Sequence, residues 1–392
     1  MRAPKLPMIH GRDIICFAND WDSDPLSKKH VMLRFAKHNR VLWINSIGNR
    51  KPTTSAYDLK RIANKFRDFA RGHQKVDNQL YVYSPIAVPF FGSRVARWVN
   101  RNVLKWSVRR VCRQLSFERP LLWTFYPASG NVAGSLGEET IVYHCVDEYS
   151  EFTGTDKEAI LQLERQLMEK CDYVIVSSER LYETKKPHNK NTFLVTHGVD
   201  AAHFRKACDP QTMVPDEMKE LSKPVIGFFG LIADWVDLEL IRFLAVARPG
   251  WNFALIGKIA TDVRLFEGLP NVHLLGQKTY DALPGYVKAF DVAILPFVMN
   301  ELTIAANPLK LREYLAAGLP VVSSAIPEAA RLKHLVRIGR NKLEVLNHID
   351  TILKSGQTGP QIRISSQMDS ESWDQKVEEL SQIVAGVREA AA

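Results

Sequence analysis

Short apolar runs alternate with helix-like segments along the whole chain, in two series that a polar stretch at 205–223 separates. The first series has the strand-like runs Asp13–Ala18, Val41–Asn45, Leu80–Tyr83, Leu121–Phe125, Ile141–His144, Tyr173–Val176 and Thr192–Val195. The second series has Val225–Phe229, Asn252–Ile256, Val272–Leu275, Val292–Leu295 and Val321–Ser323. Strands that alternate with helices are typical of a parallel sheet wrapped by helices. The sequence therefore predicts an α/β protein with two Rossmann-like halves, each binding ligands beyond the carboxyl ends of its strands.

The polar stretch also sets the expected domain boundary. We expect an N-terminal domain at 1–205 and a C-terminal domain at 206–370, followed by a helix from Glu371 to about Arg388. A length of 392 residues accommodates two such domains. Helices are expected in the first domain at Lys28–His38, 58–71, 94–115 and 156–170.

Composition argues against several classes of protein. No run approaches the ~18 apolar residues that cross a bilayer, and the N-terminus lacks the apolar core of a signal peptide. The five cysteines are scattered and form no C-x-x-C pair, so zinc and redox motifs are not indicated. We expect a cytoplasmic protein with reduced thiols that does not cross a membrane.

Charge is unevenly distributed along the chain. Residues 1–119 hold 24 Lys and Arg against 8 Asp and Glu, a net +16, whereas the remaining residues hold 28 and 35, a net −7. Such asymmetry indicates an anionic partner for the N-terminal part. Anionic lipid, nucleic acid and a pyrophosphate-linked acceptor are the candidates.

Part of this charge forms a stripe on one predicted helix. Its basic residues recur every three or four positions: Arg94, Arg97, Arg101, Lys105, Arg109 and Arg113. The apolar residues are expected on the other side: Val99, Val103, Leu104, Trp106 and Val111. An all-positive face favours a surface for anionic lipid head groups over an ordinary solvated face. A nucleic-acid partner is not expected, because no recognised binding fold accompanies the stripe.

The stretch Asn307–Pro320 predicts a short helix whose two ends are both specified. Asn307 suits the N-cap and Pro308 the first helical position. Gly318 fits just past the last turn, and Pro320 prevents the helix from continuing.

Two side chains on this helix have the spacing of a nucleotide site. Lys310 and Glu313 are three residues apart and therefore lie side by side. A helix start and a lysine suit a phosphate, and a carboxylate one turn on can accept hydrogen bonds from a ribose diol. A solvated Lys–Glu pair gives the same pattern, so the spacing alone does not decide between the two.

Other candidates follow strands of the second half. Gly230 follows its first strand, where the absence of a side chain lets backbone approach a phosphate closely. Gln277 follows the third strand, and its amide could pair with the edge of a base. An ordinary turn remains the alternative for each.

Polar residues also follow the strand Ile141–His144 in the first half. Asp147 can accept a proton from an attacking hydroxyl if the geometry allows. Glu148 and His144 are the alternative bases, and a purely structural role for Asp147 would be to cap the next helical segment.

The loop Asn19–Pro25 contains an Asp-x-Asp, which can indicate a metal–diphosphate site. No other cluster of metal ligands accompanies it, so no metal is expected. The loop either caps the helix from Lys28 or faces an acceptor.

These motifs resemble those of GT-B glycosyltransferases. Lys310 and Glu313, before Ala316–Val322, resemble the helix on which a Lys and a Glu hold a nucleotide-sugar. The segment 141–149 resembles the one that bears the catalytic Asp in xanthan-type glucuronosyltransferases. The loop Asn19–Pro25 is similar to Asp- and Trp-rich loops of teichuronic-acid-type glycosyltransferases.

The resemblance implies a GT-B fold, with two Rossmann-like domains facing a central cleft and residues 371–392 packing back on the first. It implies Asp147 as general base. It also implies a set of donor contacts: Gly230, Leu231, Gln277, Asn307, Leu309, Lys310 and Glu313. His197–Asp200 resembles the turn before the interdomain linker and is expected to be structural.

The implied activity is transfer of a hexosyl or glucuronosyl group from a nucleotide-sugar, a UDP-sugar by preference, with no metal or other cofactor. The implied acceptor is lipid-linked or a saccharide, at the cytoplasmic face of the membrane. A GT-B nucleotide-sugar epimerase and a non-catalytic nucleotide-binding scaffold are the alternatives. Ala305 stands where many retaining enzymes carry Glu, so retention is not implied. Neither half shows G-x-G-x-x-G, which argues against an NAD enzyme.

Overall fold

The computed structural model describes residues 9–23, 25–46, 67, 69, 71–86 and 94–386. Most of the helix predicted at 58–71, and Asp24 of the Asp-x-Asp loop, lie outside these residues. The described residues divide into two compact units: Met1–Thr196 with Val377–Ala392, and His197–Lys376. The division falls upstream of the expected boundary at 205–206, because Phe204 and Ala207 belong to the core of the second unit.

The first unit holds an eight-stranded sheet. Its strands are β1 Asp13–Phe17, β2 Arg40–Ile44, β3 Gln74–Asp77, β4 Leu80–Tyr83, β5 Leu121–Thr124, β6 Thr140–Cys145, β7 Tyr173–Val176 and β8 Thr192–Leu194. They lie in the order β3-β4-β2-β1-β5-β6-β7-β8. All pairs are parallel except β3 with β4. The sequence did not predict β3, since its four residues are exposed at the sheet edge and carry no apolar alternation.

Four described helices belong to the first unit: α1 Ser27–Phe35, α2 Arg94–Gln114, α3 Lys157–Met168 and α4 Glu179–Lys185. The side chains of Asp156 and Ser178 cap α3 and α4, as expected of these residue types. The predicted extension of α1 to His38 is wrong, because three turn residues follow Phe35.

The second unit holds a six-stranded parallel sheet. Its strands are β9 Val225–Phe229, β10 Asn252–Ile256, β11 Val272–Gly276, β12 Val292–Leu295, β13 Val321–Ser324 and β14 Val336–Gly339, in the order β11-β10-β9-β12-β13-β14. Its helices are α5 Ala201–Arg205, α6 Asp216–Lys219, α7 Leu238–Ala247, α8 Leu283–Lys288, α9 Glu301–Ala305, α10 Leu309–Ala316, α11 Pro327–Arg331, α12 Lys342–Ser355 and α13 Ile362–Ser365. The last helix, α14 Trp373–Val384, starts in this unit, and its residues from Val377 on count with the first.

Both faces of the second sheet are buried, as expected of a parallel sheet. Successive strand residues point to opposite faces, so Val225 and Phe229 join one apolar cluster while Ile226 and Phe228 join another. Helix α7 begins at Leu238, and the Asp237 side chain caps it by accepting from Leu240 N. Among the described residues, no helix is long and apolar enough to cross a membrane.

Candidate functional site

Three glycines line the carboxyl edge of the second sheet. Gly230, Gly257 and Gly276 follow or end the adjacent strands β9, β10 and β11, and all have positive φ. Gly230 N donates to Ile256 O at 2.9 Å, and Gly257 N donates to Gly276 O at 2.9 Å. A Cβ on Gly257 would lie 1.8 Å from Gly230 O. This close approach requires glycine at 257, a position that the sequence analysis missed although it follows a predicted strand as Gly230 does.

Helix α10 begins one residue later than the sequence predicts. Pro308, not Asn307, is the N-cap, and no side chain caps the helix start. The N-cap prediction for Asn307 is wrong because its side chain binds other residues: Oδ1 accepts from Arg312 Nη1 at 2.6 Å, and Nδ2 donates to Glu328 Oε2 at 3.2 Å. The uncapped first turn keeps its N–H groups available to an anion.

The side chain of Lys310 lies over Gly230. A Cβ on Gly230 would be 3.0 Å from Lys310 Cε, and Lys310 Nζ is 5.9 Å from the ring centroid of Phe229. The helix and the first βα turn of this unit therefore meet at one edge of the sheet. A flexible cation above bare backbone is the arrangement that phosphate oxygens bind.

Glu313 lies beside Lys310, with Oε2 4.0 Å from Lys310 Nζ. The residue is buried, and its Oε2 has no hydrogen-bond partner among the described residues. Burial raises the pKa of Glu313, and Lys310 opposes this shift. Buried carboxylate oxygens normally accept hydrogen bonds, so this one is suited to the hydroxyls of a ligand.

A buried polar network supports the start of α10. His197 Nδ1 lies 2.8 Å from Asn307 O, and Arg312 Nε donates to Glu371 Oε2 at 3.3 Å. Phe229 N donates to Tyr314 Oη at 2.9 Å, which ties the helix to the end of β9. The expectation of a structural role for the His197 turn agrees with these contacts.

Three further predicted donor contacts lie at the same sheet edge or on the same helix. Leu231 follows Gly230 and is exposed, and Gln277 follows Gly276 and is also exposed. Leu309 opens α10 directly before Lys310. The structure thus brings together the predicted set around the ends of β9 and β11 and the start of α10.

Asp147 lies at the carboxyl edge of the first sheet, after β6. Among the described residues no hydrogen bond to its carboxylate is found, and the Cys145 thiol contacts the backbone oxygen of Asp147 and Glu164 Oε1. Burial raises the pKa of Asp147, while Lys28 lowers it. The short helical turn Tyr149–Glu151 has Glu148 at its N-cap and no side-chain capping bond, so Asp147 does not cap it.

The two alternative bases have structural surroundings. Glu148 forms an ion pair with the buried Lys185 at 2.9 Å, and Lys185 also pairs with Glu164 at 2.8 Å. His144 packs between the rings of Trp123 and Phe125, with centroids at 5.9 and 5.0 Å. Of the two carboxylates in this segment, only that of Asp147 has no partner among the described residues.

Lys28, which the sequence analysis did not select, is a buried cation at the carboxyl edge of the first sheet. It lies in the first turn of α1, which follows β1, and its Nζ donates to Tyr126 Oη at 3.1 Å. The Nζ is also 4.2 Å from the ring centroid of Tyr126, 5.6 Å from that of Tyr149 and 5.9 Å from that of Phe125. The available signal was its position in the first turn of the helix that follows the first strand.

The Asp-x-Asp loop folds onto the end of β2. Asp20 Oδ1 accepts from Ser46 Oγ at 2.8 Å, and Trp21 N donates to Asn45 Oδ1 at 2.9 Å. The N-cap of α1 is Leu26 with no side-chain bond, so the loop does not cap this helix through a side chain. Within the described ranges, no cluster of three or more His, Cys, Asp or Glu could hold a metal ion.

Helix α2 packs its apolar side on the protein through Leu104, Val108 and Val111. Trp106, which was expected on the side opposite the basic stripe, is 54% exposed, and Trp98 is 67% exposed. The described basic residues Arg101, Arg109 and Arg113 are exposed, whereas the side chains of Arg94 and Arg97 lie outside the described residues. The exposed face of α2 therefore combines arginines with two tryptophans.

Residues 223–354 match the family model described as glycosyl transferases group 1. The chain is 28% identical over 237 residues to TuaH of Bacillus subtilis (strain 168), named as a teichuronic acid biosynthesis glycosyltransferase. That alignment covers 55% of this chain and 58% of TuaH, so it spans little more than half of the relative.

Solved structures share the fold over nearly the whole chain. Sucrose-phosphate synthase from Thermosynechococcus elongatus superposes with a TM-score of 0.71 at 15% identity, covering 96% of this chain and 99% of that one. An E. coli trehalose-6-phosphate protein bound with UDP-2-fluoro glucose gives a TM-score of 0.62 at 12% identity, covering 96% and 98%. The predicted GT-B fold is confirmed.

Proposed function

We propose that this chain transfers a sugar from a nucleotide-sugar during synthesis of a bacterial polysaccharide, because residues 223–354 match the glycosyl transferases group 1 model and the chain has a GT-B fold. The observation that carries the proposal is the meeting of Lys310, Gly230 and the uncapped start of α10 at one sheet edge, with the unpartnered Glu313 one turn away. The order of these groups is that of phosphate and ribose in a nucleotide.

The donor is a UDP-sugar. The N–H groups at the start of α10 and Lys310 hold the diphosphate, and Glu313 accepts hydrogen bonds from the ribose hydroxyls. Gln277 pairs with the base at the end of β11.

Transfer uses Asp147 as general base. The acceptor hydroxyl attacks the anomeric carbon, its proton passes to Asp147, and the bond from that carbon to the diphosphate oxygen breaks with its electron pair. Lys310 and the α10 dipole neutralise the charge that develops on the leaving diphosphate. The reaction then needs no metal ion, because protein cations take that role.

The acceptor is lipid-linked or a saccharide and is bound by the first unit, which works as a peripheral protein at the cytoplasmic face of the membrane. The net +16 of residues 1–119 and the exposed tryptophans and arginines of α2 support this location. Tryptophan and arginine together favour the interface of an anionic bilayer.

Nucleotide release tests the proposal. The full chain is incubated with UDP-glucose, UDP-glucuronic acid, GDP-mannose and ADP-glucose, with and without a bacterial membrane lipid extract. We expect release of one nucleotide that the extract stimulates, and a loss of about 100-fold or more in Asp147→Asn with nucleotide binding unchanged. Asp216→Asn serves as control and keeps wild-type turnover, because Asp216 is exposed and pairs with Lys219 on the surface.

Other outcomes point to other functions. An epimer or free sugar formed equally well without lipid identifies an epimerase. Nucleotide binding with no turnover of any donor identifies a scaffold. Wild-type turnover in Asp147→Asn removes this residue from the mechanism.

A further inference from the structure

Three side chains with unused hydrogen-bonding capacity converge at the carboxyl edge of the first sheet. Lys28 follows β1, and Asp147 and Tyr149 follow β6, while the ring of Tyr126 follows β5 between them. The strands β1, β5 and β6 are neighbours in the sheet. Parallel neighbours place the residues after their carboxyl ends at one edge, so these groups share a site.

The hydroxyl of Tyr149 is the clearest sign of ligand recognition there. Tyr149 is only 8% exposed, and its Oη has no hydrogen-bond partner among the described residues. Burial, with Asp147 close by, raises the pKa of Tyr149 well above its ordinary value, so the hydroxyl stays a donor. Buried hydroxyls are nearly always satisfied by protein, water or ligand.

Lys28 has unused hydrogen-bond donors, and Asp147 has unused hydrogen-bond acceptors. Lys28 is 5% exposed, and one of its three donors meets Tyr126 Oη while the others have no described acceptor. Asp147 senses the charge of Lys28, yet the two form no ion pair in the described part of the chain. A ligand hydroxyl, which is both donor and acceptor, satisfies both groups at once.

We propose that Lys28, Tyr149 and Asp147 form the subsite for the acceptor sugar, with Lys28 as a further catalytic residue. Lys28 donates to the attacking oxygen and stabilises its negative charge while Asp147 removes the proton. Tyr149 donates to a neighbouring hydroxyl of the same sugar, and the ring of Tyr126 flanks it. The inference rests on the proposed glycosyl transfer and assigns its acceptor side.

The interaction between Lys28 and Asp147 predicts a change in the pH dependence of the rate. A purely structural role of Lys28 would not cause this change. Lys28 from α1 and Tyr149 from the following turn interact with Asp147, while Tyr126 after β5, Cys145 on β6 and Glu164 on α3 interact with Tyr149. Since Lys28 lowers the pKa of Asp147, its removal raises that pKa. The acid limb of the rate profile, which requires ionised Asp147, then moves to higher pH.

Kinetics of Lys28→Met, Lys28→Arg and Tyr149→Phe in the full chain test the assignment. The donor is the one identified by nucleotide release, and the acceptors are water, methyl β-D-glucopyranoside and methyl β-D-glucuronide. We expect Lys28→Met to lose about 100-fold in kcat and to shift its acid limb upward, with unchanged nucleotide affinity. Lys28→Arg recovers part of the rate.

Tyr149→Phe provides a second, independent test of the subsite. We expect a raised KM for the acceptor glycoside and no loss of thermal stability, because the deleted hydroxyl has no protein partner. Wild-type kcat and acid limb in Lys28→Met, or a melting temperature that falls in Tyr149→Phe, overturns the subsite. No nucleotide release by the wild-type chain from any donor overturns the proposed function itself, and the subsite with it.

Discussion

At the scale of single residues, Glu313 carries a buried carboxylate whose Oε2 has no hydrogen-bond partner among the described residues. Lys310 Nζ at 4.0 Å compensates only part of the desolvation, since the pKa of Glu313 remains raised. An ionised group in this state destabilises the free protein. Such groups persist where ligand binding needs them, which is why Glu313 is central to the proposed donor site.

Glu313→Gln is therefore expected to stabilise the nucleotide-free protein at high pH. The folded state binds the carboxyl proton more tightly than the unfolded state, whose pKa is near 4.5. The folded protein consequently loses stability as the pH rises from 4.5 to the raised pKa of Glu313 in the folded state. Melting temperatures at pH 4 and pH 8 test this: we expect no gain from the variant at pH 4 and a gain at pH 8. A variant that melts lower than wild type at pH 8 contradicts the argument.

The sequence predicted the proximity of two site residues when both lie on the same helix. Lys310 and Glu313 lie three apart on one helix, so their proximity follows from helix geometry. Lys28 and Tyr149 are far apart in sequence, and their proximity depends on β1, β5 and β6 being neighbours in the sheet. No local pattern encodes that strand order, which is why the acceptor subsite emerged only from the structure.

At the scale of elements, the end of α10 is held by close backbone contact. Gly318 has φ +80°, and a Cβ there would lie 2.6 Å from Gln361 N and 2.9 Å from Cys208 Sγ. Gly356 ends α12 with φ +67° and open space around its Cβ position. The two glycines share a left-handed conformation and differ in packing.

Gly356→Ala is expected to cost about 1–2 kcal/mol, the penalty of a side chain in the left-handed region. Gly318→Ala adds overpacking, at least about 1 kcal/mol more, because backbone atoms of Gln361 cannot yield easily. Urea unfolding of both variants measures the difference. Equal destabilisation would show that the contacts around Gly318 do not hold the end of α10.

Helix α2 makes a separate prediction about the membrane. Arg101→Glu with Arg109→Glu should weaken binding to vesicles of phosphatidylcholine and phosphatidylglycerol by at least about tenfold, since each basic residue near an anionic surface contributes about 1 kcal/mol. Co-sedimentation measures the loss. The pair Lys342→Glu and Lys354→Glu on α12 makes the same change in net charge at exposed positions and serves as control. Equal weakening by both pairs would remove α2 as the docking surface.

Strands were predicted correctly from the sequence where burial on both faces gives them a continuous apolar run. The strands β9 and β12 are apolar because both faces of the sheet are covered, and they were predicted with the observed bounds. The edge strand β3 is polar and exposed and gave no signal. The predicted N-cap of α10 was wrong, because the Asn307 side chain binds Arg312 and Glu328 and not the helix start.

At the scale of the whole molecule, each unit carries one part of the proposed chemistry at the carboxyl edge of its own sheet. The second unit holds the groups suited to a nucleotide, and the first holds Asp147 with Lys28. The family match covers only the donor-side residues 223–354. The donor site is thus the claim on which the rest of the account depends.

Calorimetric titration of the full chain with UDP, GDP and ADP tests that claim most directly. We expect preferential binding of UDP, weakened about tenfold or more in Lys310→Ala, because a charge-assisted contact to phosphate is lost. The exposed Lys333→Ala should bind as wild type. Binding that Lys310→Ala leaves unchanged, or no binding of any of the three nucleotides, would contradict a donor site at the start of α10.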